Sequence, residues 1–117
     1  MSDASRAWLD LIPGAVTICN KRGVVLEMNE AAQRNFAKDG GRALIGSNLL
    51  DCHPEPARSK LHQLLETGAT NVYTVEKDGV KKLVHQAAWY RDGEIGGLIE
   101  ISLPLPRDVP HFVRDGD

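Results

Sequence analysis

Two short apolar runs near the N-terminus, residues 15–20 and 23–28, flank the polar turn Asn20-Lys21-Arg22-Gly23. Runs of this length around a tight, glycine-bearing turn predict two antiparallel strands. Before them, Ala4, Trp8, Leu11 and Ile12 recur at helical spacing as one apolar stripe. Ser5 is placed to cap that helix and Pro13-Gly14 to end it. Asn29 can cap a helix that carries Ala31, Ala32 and Phe36, and Asp39-Gly40-Gly41 stops it. An irregular stretch over 44–51 turns at Gly46. Pro54 and Pro56 then start the longest helix, 56–67, with Ala57, Leu61, Leu64 and Leu65 on its apolar face and Gly68 as its stop. Three strands follow, over 70–77, 80–91 and 94–103, joined at Asp78-Gly79 and Asp92-Gly93. Strands at both ends with helices between them predict an α+β fold on one antiparallel sheet. Pro104, Pro106 and Pro110 predict an irregular tail. The expected division is a capping or dimerising helix over 1–13, a domain over 14–103 and a Pro-rich tail over 104–117.

The last hairpin predicts faces as well as strands. A two-residue turn at Asp92-Gly93 sets Arg91 opposite Glu94, and each later pair follows from it. Tyr90, Ala88, Gln86 and Val84 then share a face with Ile95, Gly97, Ile99 and Ile101. This is the more apolar side, expected to meet the helices. The other side carries Trp89 with Gly96, Ala87 with Leu98 and His85 with Glu100, and it is greasy enough to need a cover. The N-terminal helix with Trp8 is the expected cover, from this chain or from a partner. A longer turn reverses the assignment.

Composition narrows the function. A chain of 117 residues is expected to form one domain, and it is long enough to bury a core without staples. A net charge of −2 gives no basic field for nucleic acid or an anionic membrane. No leader and no run of about 18 apolar residues is present, so a bacterial-type cytoplasmic location is expected. Cys19 and Cys52 imply no disulfide framework, and Cys19 reads as a buried small hydrophobe.

Taken in order, Gly23, Asn29 with its helix, Gly46, Glu66-Thr67-Gly68, and Asp92-Gly93 followed by Gly97 resemble the PAS (Per-Arnt-Sim) sensor family over about residues 6–103. The segments 85–90, 100–103 and 110–112 are further similar to small stand-alone bacterial PAS proteins. The resemblance implies a five-stranded antiparallel sheet with helices inserted between strands 2 and 3, a helix-walled cavity and a sensing role. It also implies a homodimer formed through the N-terminal helix and the outer sheet face.

Each candidate site has a plain alternative. Cys52-His53-Pro54 offers two ligands, too few for a zinc site. Haem-binding PAS sensors use a histidine on the long helix, and residues 54–60 look similar to the start of theirs. Their ligand position falls on Leu61, however, and His62 sits about 100° away at the edge of the apolar face. Haem through His62 or His53 is thus an alternative to a boundary histidine. Flavin photochemistry of the light-oxygen-voltage type needs a cysteine where Leu49 stands. A photoactive-yellow-protein chromophore needs hydrogen-bond donors where Met28 and Ala32 stand. His85 and Glu100 read as a cross-strand pair. No Ser-His-Asp set, phosphate-cradling glycine loop or spaced carboxylate pair marks an enzyme.

The expected function is a regulatory module that binds a small apolar or planar ligand, a protein partner, or both, and acts in trans because no output domain follows residue 117. The expected pocket is Ile18, Phe36, Leu49, Leu61, Leu65, Val84, Gln86, Ile99 and Ile101, with Gln86 as the orienting polar group. The expected dimer contact is Trp8, Leu11, Ile12, Trp89 and Leu98, and in the ligand-free alternative the segment 109–113 could also dock on a partner; the sequence does not give the signalling partner's identity. The competing expectation is a ligand-free homodimerisation module using the same contacts.

Overall fold

A computed structural model describes the backbone of residues 3–116 and the side chains of residues 7–116. Helix α1 (Asp3–Leu11) leads into β1 (Ala15–Asn20) and β2 (Val25–Met28). Helix α2 (Glu30–Asn35), two 3-10 turns (Ala37–Asp39 and Gly41–Leu44), α3 (Leu49–Cys52) and α4 (Ala57–Thr67) follow. Then come β3 (Asn71–Lys77), β4 (Val80–Arg91) and β5 (Glu94–Leu105). All pairings are antiparallel, and the sheet runs β2-β1-β5-β4-β3. The sheet is the five-stranded, α+β one expected, with its helices between β2 and β3. Because α1 begins at Asp3, Ser5 lies inside the helix rather than at its cap; the side chains of Ala4 and Ser5 fall outside the described residues.

Local chemistry sets most of the boundaries. Both late hairpins turn through Asp-Gly with positive φ at each residue: Asp78 53° and Gly79 79°, Asp92 53° and Gly93 80°. That backbone matches the right-handed twist of the flanking strands. The Asn48 side chain accepts from the Leu50 amide and starts α3, while its amide donates to the Arg22 carbonyl at the β1–β2 turn. The core forms against one face of the sheet. Val25, Met28, Ala31 and Ala32 make one cluster, and Cys19, Leu61, Leu64, Leu65 and Leu98 another.

The β4–β5 register departs from the expected one. Arg91 faces Glu94 and Tyr90 faces Ile95, as a two-residue turn requires, but a bulge then skips Gly96 and Trp89 faces Gly97. Beyond it Gln86 meets Glu100 rather than Ile99, and His85 meets Ile101 rather than Glu100. One extra residue turns every later β5 side chain to the other side. Two glycines allow it. A Cβ on Gly96 would lie 2.1 Å from the Trp89 ring, and one on Gly97 would lie 1.9 Å from the Cys19 carbonyl oxygen. The indole lies over Gly96 and donates from Nε1 to that same carbonyl at 3.0 Å. Strand β5 also outruns its expected end and pairs Pro104 with Lys82. Partner β1 stops at Ser102, so this stretch is a local edge where a missing N–H is tolerated.

Asn29 joins the two ends of the domain. It is fully buried, and all four of its side-chain bonds are made. Oδ1 accepts from Val16 N (2.9 Å) and Ala32 N (3.0 Å), and Nδ2 donates to Gly14 O (2.9 Å) and Leu9 O (3.0 Å). Asp10 adds a bond from the Glu30 amide at 3.1 Å. Asn29→Ala is expected to cost about 3 kcal/mol in chemical denaturation, because buried partners are stranded. Asn29→Asp keeps the two acceptor bonds but loses both donors, so it is also expected to cost more than about 1 kcal/mol. A plain helix cap would tolerate Asp, so an unchanged midpoint for Asp would reduce Asn29 to a cap.

Candidate functional site

A cavity of about 580 Å³ lies between the inner face of the sheet and the helical segment. Thr17 and Cys19 of β1, Val25 and Met28 of β2, and Leu98, Glu100 and Ser102 of β5 form its floor. Gln86 of β4 and Tyr73 of β3 extend the floor toward the sheet edge. Phe36, Leu44, Leu49 and Leu61 supply apolar walls from the helical side, joined by Asn35, Asp39, Cys52, His53 and Pro54.

Polar groups in the cavity are organised as a chain. Asn71 Nδ2 donates to Gln86 Oε1 (2.9 Å), and Gln86 Nε2 donates to Glu100 Oε1 (2.8 Å). Burial pushes the Cys19 thiol above its ordinary range; a hydrogen bond at the Leu98 backbone opposes the shift, and the charge of Glu100 adds to it. Burial likewise raises the Tyr73 phenol, with Glu100 again contributing. Farther along the wall, His53 Nδ1 stands 2.7 Å from the Leu49 carbonyl. A carbonyl only accepts, so Nδ1 is the donor in this contact. Cys52 Sγ lies 3.7 Å from the same nitrogen. Among the described residues no three His, Cys, Asp or Glu side chains gather as a metal set.

The arrangement of sheet, inserted helices and a cavity between them has known relatives. The family model described as "PAS fold" matches residues 9–105. The chain belongs to the PAS-fold family. Among solved structures, a C-terminal domain from Streptococcus mutans is 22% identical, with a TM-score of 0.70, covering 86% of this chain and 81% of that one. The PAS domain of BvgS from Bordetella pertussis is 18% identical, with a TM-score of 0.64, covering 90% and 86%. The VqmA dimer of Vibrio cholerae is 17% identical, with a TM-score of 0.67, and the match covers 92% of this chain but 54% of VqmA. At these identities the likeness concerns the fold. Among curated protein sequences none matches this chain.

The PAS cavity brings together part of the expected pocket. Phe36, Leu49, Leu61 and Gln86 line it. Leu65 and Val84 are buried nearby without lining it. Ile18, Ile99 and Ile101 do not line it: Ile18 pairs with Ile99 and Val16 with Ile101 on the opposite face of the sheet, where the β5 bulge sends them. The same bulge brings Leu98 inside, 5% exposed, so it is core and not an outer contact. Trp89 does lie on the outer face, but its N–H is bound to Cys19 and the Arg91 guanidinium sits 5.5 Å from its ring centroid. Trp8 (73% exposed) and Leu11 (76%) stand in solvent, so α1 does not cover the outer face with them, and Ile12 is exposed to a lesser degree.

His62 points away from the cavity and sits 3.6 Å from Glu66 on the exposed side of α4. From there it cannot ligate a haem in the cavity, which leaves His53 as the histidine on the lining. Glu100, Tyr73 and Cys19 are lining residues that the sequence pattern did not assign to a pocket. Gly96-Gly97 was the available sign for Glu100, because a glycine doublet inside a strand marks a bulge.

The two cysteines are expected to differ in reactivity. Cys52 is exposed and Cys19 is 2% exposed with a raised thiol pKa. A raised pKa leaves less thiolate at pH 8, so Cys19 should be alkylated at least about tenfold more slowly than Cys52 until the protein is unfolded. Mass mapping of iodoacetamide adducts measures this, and equal rates would show that the floor of the cavity opens freely.

Proposed function

We propose that this chain is a regulatory, non-enzymatic PAS module whose cavity takes a small molecule with an apolar or planar body and whose state is read in trans by a protein partner. The cavity carries this reading. Its volume falls in the range of small-molecule sites, and its largely apolar walls converge on a few fixed polar groups. VqmA, which shares the fold, has been solved bound to DPO. Asn29 supplies a route outward. It caps α2, the helix that leads into Phe36 on the wall, and it holds the Leu9 carbonyl of α1.

Native mass spectrometry of freshly purified protein, with an absorption spectrum, tests the cavity. A retained small mass, or a compound that raises Tm, is expected; saturation at a hundred times Kd adds about 2.7 kcal/mol. Leu61→Trp should fill the space and abolish the retained mass or the shift while the fold persists. A Soret band that His53→Ala abolishes would identify haem on His53. If no compound binds and Leu61→Trp changes nothing, the cavity is not a ligand site.

A second reading, as a homodimerisation module, is favoured by the solvent-exposed Trp8 and Leu11 on α1. Phe112 and Val113 in the tail are also exposed and are proposed as contacts for the signalling partner. Light scattering should give a dimer for the wild type and a monomer for Trp8→Ala with Leu11→Ala. A double variant that stays dimeric would remove α1 from the interface.

A further inference from the structure

Glu100 sits at the centre of the cavity floor, on the central strand of the sheet, and its orientation is fixed from behind. Asn71 donates to Gln86 Oε1, which forces the Gln86 amide nitrogen toward Glu100. That bond occupies one carboxylate oxygen at 2.8 Å. A carboxylate has about four acceptor sites, so most of its capacity remains for another donor. Among the described residues Glu100 forms no ion pair within salt-bridge distance. Among the described residues no lysine or arginine lines the cavity; Asp39 is a second carboxylate on its wall, and His53 stands on the helical side. Lys82 reaches a lining residue only at Asn35 Oδ1, 3.5 Å away. The surroundings of Glu100 include the apolar Leu98, Leu61 and Met28, where a charge is screened less than in water.

Resting on the reading of the cavity as a ligand site, we infer that its ligand is a small organic cation: an apolar or aromatic body that presents an amine or amidinium group to Glu100. Such a group neutralises the carboxylate, adds charge-assisted hydrogen bonds and leaves the apolar body against Phe36, Leu49 and Leu61. A carboxylate or phosphate ligand at Glu100 would meet like charge, with no lysine or arginine among the described lining residues to offset it. Cys19 and Tyr73 are raised chiefly by burial, and the charge of Glu100 adds to both shifts.

Three probes of matched shape test this: 1-naphthylmethylamine, 1-naphthamide and 1-naphthoate, titrated into the full chain by ligand-observed NMR. The amine should bind at least about tenfold more tightly than the amide and the acid, the size of effect expected from one charge-assisted contact. Glu100→Gln should bring the three within about twofold of one another. The wild-type series stands even if that variant folds poorly. If the acid binds as tightly as the amine, or Glu100→Gln keeps the preference, the cation assignment is wrong and the cavity remains a ligand site. If none of the three binds the folded protein, both readings fall.

Discussion

The buried side chain of Asn29 is the constraint on which the rest of the domain depends. It makes the four hydrogen bonds that an amide of its size can make, and they run to three separate pieces of chain: the end of α1, the start of β1 and the first turn of α2. Moving any of the three strands a donor or acceptor away from water, at about 1–3 kcal/mol for each group. The start of the sheet and the start of the helical wall are therefore held at one fixed separation. The cavity exists in the space that this separation leaves between α2 and the inner face of β1 and β5.

That same residue shows how far a sequence can be read. Asn29 was identified as a helix cap because capping is local: the acceptor and the Ala32 amide are three residues apart. Its other bonds reach back to Leu9, Gly14 and Val16, and no pattern in the sequence announces such contacts. Element order and most boundaries were legible for the same reason the cap was. Asp-Gly turns, Gly68 after α4 and the alternation in β4 all act over a few residues. The side assigned to each β4 residue was correct as far as Val84 and Gln86.

The β5 faces failed on a single residue. The turn at Asp92-Gly93 has the expected form, and the register is lost only where the chain bulges at Gly96. The physical cause is non-local. The Trp89 indole needs room to cross β5 and reach the Cys19 carbonyl on β1, and only residues without a Cβ leave it. Trp89, expected at a partner contact on the outer face, also braces the sheet from within. Its bulge exchanges Ile99 and Ile101 for Leu98, Glu100 and Ser102 on the inner face. An apolar floor was expected, and a floor with a carboxylate in it is what results.

A carboxylate in that position is hard to explain by stability. Its inner-face neighbours on β5 are Leu98 and Ser102, and an aliphatic side chain at residue 100 would pack against the same walls with no desolvation penalty. The Gln86 amide gives this half-buried carboxylate one neutral hydrogen-bond donor. Asn71 and Gln86 hold Glu100 in place rather than neutralise it. Fixing an acceptor in advance lowers what a donor must later lose on binding, because the side chain has already been ordered by folding. Local choices that work against stability concentrate at functional sites. On the proposed reading Glu100 is placed for a ligand in the cavity, and its complement is a positive charge that no lysine or arginine among the described lining residues supplies.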